Sequence, residues 1–347
     1  MTDEDFLPPV LTRALADLHA VEPDEQVLRK TRENLMQAVA KAETTEAPRP
    51  KRRRHWGRWV AASAVVAAIV PGALVAPTLT DSPRYASAAE VLIKAADEIK
   101  NVDPVLKPGQ YLYSRSHGWH LAYVGGKNKV YEFVNESTPE LWIPADPRQE
   151  WMGRYPKGQR KWIVGSEQEV KAEGIDLDLP KRNAAEVVRA PCGDWGAAEA
   201  GRKPCDGRNG WFGGTPPEAY DKIPTGQQEL YDQLRRETAD RGQHPDVQML
   251  VQTGYVIGSP AAPARIRAAY YRALALMPSL RITDQSSNLD GQVGVAIGVD
   301  GGVAKMEIVV DPKTGRFIGT REWTNGRLHS TWSSRTAVVD GMGTRPS

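Results

Sequence analysis

From Pro263 the chain reads PARIRAAYYRALALMPSL, and from Met306 it reads MEIVVDPKTGRFIG. In the first stretch Ile266, Tyr270, Leu274 and Met277 recur at i, i+4, i+8 and i+11, the spacing of one helical face. In the second, a β-branched run meets Asp311-Pro312-Lys313-Thr314-Gly315, a strong turn signal, and resumes at Phe317. A helix followed by a hairpin is therefore predicted here.

Working outward, both patterns repeat. Upstream, Gln227 to Arg241 places Leu230, Tyr231 and Leu234 on one side, and Pro245 to Gly258 carries Val247, Leu250, Val251 and Tyr255. Strand signals follow the last helix: Leu280 to Asp284, Gln292 to Val299, Ala304 to Val310, Arg316 to Trp323 and Leu328 to Val338. Before the helices, Tyr85 to Lys100 reads as a helix. Short β-rich runs come next at Gln110 to Arg115, Trp119 to Val124, Lys129 to Val134, Leu141 to Ile143 and Lys161 to Gly165. The turns between them suit antiparallel hairpins. The expected class is α+β.

The stretch from Asp176 to Thr225 reads as loop, rich in Gly and Pro. It holds both cysteines, Cys192 and Cys205, which are expected to form one disulfide on the oxidising side of a membrane. Trp195, Trp211 and Phe212 in this loop are expected to pack down or touch a ligand.

The membrane expectation comes from charge. The chain has 347 residues, 45 Lys and Arg against 43 Asp and Glu, and a formal charge of +2. The near balance argues against bulk nucleic-acid binding, and no direct nucleic-acid partner is expected. Its mean hydropathy of -0.49 excludes a polytopic membrane protein. The balance conceals segregation. Residues 1–48 hold ten acids and five bases. Arg49, Lys51, Arg52, Arg53, Arg54 and Arg58 follow without an acid, and Trp59 to Thr80 carries no charge at all. As a helix that run reaches about 33 Å, enough for a hydrocarbon core of about 30 Å. The basic cluster before it places the N-terminus in the cytoplasm. The expected organisation is a cytoplasmic helical tail with a basic stop at 1–58, a transmembrane helix at 59–80, and an extracytoplasmic α+β domain at 81–347. Ala86-Ser87-Ala88 offers a cleavage site, but the long segment before the run favours an uncleaved signal anchor.

The tail contains two short amphipathic patterns. Leu11, Leu15 and Leu18 mark the first. Leu28, Arg32, Leu35 and Val39 mark the second. Helices this short cannot bury a core of their own. Two readings stand: a solvated tail, or a docking element for a cytoplasmic protein through Leu28, Leu35 and Val39.

No catalytic motif is present: there is no G-x-S-x-G, H-E-x-x-H or P-loop. His117 and His120 are a close pair, but on a strand their odd offset puts them on opposite faces. Asp176 and Asp178 read as solvated loop acids. A non-enzymatic protein is expected, with no catalytic residue, no cofactor and no metal site. Tyr111, Tyr113, Trp119, Trp162, Trp323 and Trp332 are the candidate lining of an apolar cavity, with core packing as the competing reading.

The order of an acidic helical tail, KRRRHWGR, one apolar span, ASAAEVLIKAAD, GQYLYSRS, PARIRAAYYRALALMPSL and MEIVVDPKTGRFIG resembles an uncharacterised actinobacterial family of single-pass membrane proteins. Members are associated with extracytoplasmic-function sigma factors. The resemblance covers most of the chain and is most specific over 262–319. It implies an ectodomain similar to the open half-barrels of lipoprotein carriers and of periplasmic sensors that control anti-sigma proteolysis. The partners implied are a cytoplasmic sigma factor and an envelope lipid or lipoprotein. With the topology and the amphipathic tail, the expected function is a membrane-anchored envelope sensor or regulator, anti-sigma-like, with a ligand- or protein-binding ectodomain; the alternative is a tethered lipid or lipoprotein carrier with a passive tail.

Overall fold

The computed structural model describes residues 85–100, 102–127, 129–177, 187–197, 200–205, 217–242 and 244–346. The tail with Leu28, Leu35 and Val39, the apolar run 59–80, and Trp211 and Phe212 lie outside the described residues. Among those described, no helix is long and apolar enough to cross a membrane.

Helix α1 (Ala88–Ile99) opens the fold. Ser87 caps it by accepting the Glu90 amide at 3.1 Å, which satisfies one of the donors a helix start leaves unpaired. Six strands follow: β1 (Tyr111–Gly125), β2 (Val130–Ser137), β3 (Glu140–Pro144), β4 (Glu150–Arg154), β5 (Lys157–Val164) and, after the short helix α2 (Glu167–Ala172), β6 (Val187–Pro191). Helices α3 (Pro217–Asp221), α4 (Gln227–Thr238), α5 (Pro245–Gly258) and α6 (Ala264–Leu274) come next. Strands β7 (Arg281–Leu289), β8 (Gln292–Asp300), β9 (Ala304–Asp311), β10 (Arg316–Thr324) and β11 (Arg327–Val339) close the chain.

The eleven strands among the described residues belong to one antiparallel sheet; nine run in the order β6-β4-β3-β1-β11-β10-β9-β8-β7, and β2 and β5 branch from β1, β2 pairing β1 and β5 pairing β2. The sheet is open, because β6 and β7 are not joined. Strand β1 organises it. One side pairs β11 over its first ten residues, while the other pairs β3 from Tyr111 to Arg115 and β2 from Gly118 to Gly125. The sequence pattern predicts two β runs separated at Ser116; the structure has one continuous strand, because β11 pairs Ser116, His117 and Gly118 without interruption.

The main core lies between the sheet and helices α1, α4, α5 and α6. Alternation on the strands selects its residues: Met306, Ile308 and Val310 of β9 face the helices with Ile297 of β8 and Phe317 of β10. The intervening Val309 turns to the outer face, where it packs with Leu289, Ala296 and Ile318. A second outer cluster joins Tyr113, Trp142, Met152 and Val339. At the β9–β10 turn Gly315 has φ +68°, and a Cβ there would collide with the Ala95 carbonyl of α1. Only glycine suits both the backbone and the helix approach.

Candidate functional site

The sheet register decides which side chains share the helix-facing side. On β1 the even positions Ser114, Ser116, Gly118 and His120 point there. Gly118 stands opposite Trp332 of β11, and Trp332 opposite Thr320 of β10. Leu141 of β3 and Ser137 of β2 join the same face through Ser114 and Gly118. These residues floor a cavity of about 550 Å³.

Helix α5 roofs it. Val251, Gly254, Tyr255 and Gly258 line the cavity at i, i+3, i+4 and i+7. The two glycines bring the helix close to the sheet: a Cβ on Gly258 would stand 2.7 Å from Phe317 Cε1, whereas one on Gly254 would meet Met306 and Thr320 at an ordinary 3.6 Å. Ser259, Pro260 and Ala261 continue the roof past the helix end.

The side wall is aromatic: Trp151 of β4, Tyr155 and Trp195. Trp195 belongs to the segment closed by the Cys192–Cys205 disulfide. The Cys192 amide bonds to the Gln149 carbonyl at 3.0 Å, and Gly193 packs so tightly on Trp151 that a Cβ would stand 2.5 Å from its ring. The bridge thus fixes this wall against β4. Cys192 and Cys205 adopt φ values of 57° and 66°, the left-handed region that favours glycine. The Tyr155 hydroxyl accepts from the Trp195 indole, and burial pushes its pKa up, so it is a neutral phenol at ordinary pH.

The far end along β1 is polar, with His120, Ser330, His329 and Glu322. Burial, reinforced by nearby His329, lowers the His120 pKa below the ordinary 6.5.

Of the six predicted aromatic lining residues, Trp119 and Trp332 border the cavity. Trp119 has the parity of the outer face. Its ring meets His117 edge-on at 6.1 Å and lies 4.0 Å beneath Lys161 Nζ. The other four are not in the lining. Tyr113 faces outward, its ring 5.2 Å from Trp142, and Tyr111 packs beside the same outer cluster. Trp162 packs on Tyr131 and Phe133 at the β2–β5 flap. Trp323 faces outward beneath Lys305 and Arg321. Residue type placed them together; strand parity separates them.

His117 and His120 are divided across β1. His120 enters the cavity, whereas His117 is held outside it by Asp290 at 3.0 Å and Glu136 at 3.1 Å. Among the described residues, no group of three or more His, Cys, Asp or Glu is arranged to hold a metal. Sequence reasoning missed Trp151, Tyr155, Gly254 and Gly258. The G-x-x-x-G on α5 and the glycine inside the β1 pattern were the available signals, since each marks a close approach of backbone.

Fold and site together define a helix-roofed, aromatic-walled cavity on an open antiparallel sheet. No protein-family model and no curated protein sequence matches the chain. Among solved structures it is similar to the MucA/MucB complex of Pseudomonas aeruginosa, with a TM-score of 0.26 and 12% identity over 75% of this chain and 58% of that one. It is also similar to a LolA-superfamily protein of Nitrosomonas europaea, with a TM-score of 0.16 and 8% identity over 76% of this chain and 96% of that one. The chain spans less than two thirds of the matched MucA/MucB chain. At such TM-scores neither likeness carries an argument about fold or function.

Proposed function

We propose that this chain is a membrane-anchored, non-enzymatic envelope sensor whose extracytoplasmic domain binds a small amphipathic molecule. The observation that supports this reading is the cavity of about 550 Å³ between the sheet and α5. Its size falls within the range of about 300–1,000 Å³ usual for small-molecule sites, and it combines apolar walls with a few polar groups. In this reading the apolar run 59–80 is an uncleaved transmembrane anchor, and the basic cluster before it keeps residues 1–58 in the cytoplasm. There Leu28, Leu35 and Val39 dock a sigma factor, and cavity occupancy outside is what the protein reports.

The test is mass spectrometry of organic extracts from the full-length chain, purified from its native membranes. An amphiphile bound to the wild type and lost from Gly254→Leu, which extends a side chain into the cavity, is the expected result. A wild-type chain carrying no more amphiphile than the variant overturns the reading. The same cavity serves a second reading, a tethered lipid or lipoprotein carrier with a passive tail. Deleting residues 1–48 separates the two: a regulator loses sigma-factor capture and its output, whereas a carrier keeps its ligand and its function.

A further inference from the structure

The polar end of the cavity is built by register. His120 pairs with Ser330, Ser330 with Glu322, and Glu322 with Met306, so these side chains form one row across four strands. A bulge adds another group. Glu322 pairs with Ser330 while Trp323 pairs with Leu328, leaving His329 as the extra residue on β11 and re-aiming it to the lining. Tyr255 reaches the same end from α5, where Glu322 acts on its hydroxyl.

Among the described residues Glu322 is the one carboxylate of the lining, and no Lys or Arg lines the cavity. Among the described residues no cation pairs with it. The remaining titratable groups on the lining are Tyr155 and Tyr220, both kept as neutral phenols by burial. On the neighbouring flap Arg160 donates to Asn135 at 3.0 Å, and Asn135 is the register partner of His120. The Arg160 guanidinium lies over the Phe133 ring, 4.9 Å from its centroid.

A carboxylate inside a half-enclosed apolar cavity is costly without a cation, and an ion paired there is bound more strongly than in water. The His120 imidazole, whose pKa is lowered, adds an acceptor, and the Trp332 ring adds an aromatic face that favours cations. We propose that the His120–Ser330–Glu322 row is a head-group subsite for an alkylammonium, whose apolar remainder lies along Trp332 toward Trp151 and Trp195, and that acidification expels it. This rests on the ligand-binding reading of the same cavity. Near neutral pH the ammonium donates to Glu322 and to an imidazole nitrogen. Once His120 is protonated, it loses its acceptor and repels the head group.

Three probes of equal chain length test the subsite: octylamine, octanol and octanoate. Each is titrated calorimetrically into the full-length chain in nanodiscs of uncharged lipid, with empty discs as the blank. At pH 7.5 octylamine should bind about tenfold more tightly than octanoate, the factor set by about 1.4 kcal/mol. At pH 5 octylamine should also lose its advantage over octanol, the probe that stays uncharged at both values. Glu322→Gln should remove the octylamine preference at both values, with octanol titrated alongside as the uncharged reference. Equal binding of all three probes to the wild type, or a preference that survives in Glu322→Gln, overturns the subsite and leaves the cavity reading standing. Failure of all three probes to bind removes both.

Discussion

The indole of Trp332 lies directly across Gly118 from the neighbouring strand, where a Cβ on residue 118 would collide with Cε3 of the ring. The two residues are register partners on β11 and β1, so the missing side chain of one makes room for the other. The cavity floor depends on this exchange.

Gly118→Val should therefore do two things. It should destabilise the domain by about 1–3 kcal/mol, the usual cost of overpacking a filled site. It should also push the indole into the cavity and weaken binding of octanol. Urea unfolding and calorimetry measure the two effects. A variant of unchanged stability and unchanged affinity would show that Trp332 does not depend on this gap.

On the outer face, Tyr113 donates to buried Glu140 at 2.5 Å, and Arg345 grips both oxygens of the same carboxylate at 2.8 and 2.6 Å. Burial and the Glu140 carboxylate push the Tyr113 hydroxyl up to about 12. A group raised in the folded state contributes stability that is complete below its unfolded value and lost as pH rises through the folded one. The contribution of Tyr113 is thus whole below pH 10 and lost through about 12. Tyr113→Phe should flatten the decline in melting temperature over that window. Arg345→Ala should cost about 2 kcal/mol, because it leaves a buried carboxylate with weaker partners.

His117 bridges Asp290 of the β7–β8 turn and Glu136 of β2. Ser333 also donates to Asp290, at 3.0 Å. Burial opposes ionisation of Asp290, but the His117 and Ser333 hydrogen bonds and the Arg335 charge win and hold its pKa below the ordinary 3.8. A depressed carboxylate gives stability that is complete above its unfolded value and lost as pH falls through the folded one. Asp290→Asn should lower stability at pH 7 by about 1 kcal/mol, a value reduced for partial exposure, and should weaken the acid dependence below pH 4. Equal acid slopes in both proteins would exclude Asp290 as a source.

The elements differ in how far the sequence reveals them. Helix α5 begins at Pro245 and ends at Gly258, as its apolar spacing and terminal residues imply. The five-strand meander was legible for a similar reason: its hydrogen bonds join successive strands, and local turns announce them. Strand β4 was not legible, since Glu150-Trp-Met-Gly-Arg lacks β-branched residues and gains its form from pairing with β3 and β6. The site was harder still. Trp323 and Trp332 are alike in type and close in sequence, yet one faces Lys305 and the other the cavity. That division needs the register of two strands and a bulge, which are long-range properties.

Cys192 and Cys205 are 13 residues apart, and closing a loop of that size should stabilise by about 3 kcal/mol. Among the described residues of the loop, Trp195 is the one that lines the cavity, so the loss on reduction should be local. Cys192→Ser with Cys205→Ser should weaken octanol binding severalfold and speed proteolysis near residue 200. Among the described residues, the main hydrophobic cluster formed with α5, α6 and β8–β10 includes neither Cys192 nor Cys205. Its amide protection in hydrogen exchange should therefore be retained. Loss of protection across those strands and helices on reduction would show that the bridge holds the whole domain together rather than one wall of the site.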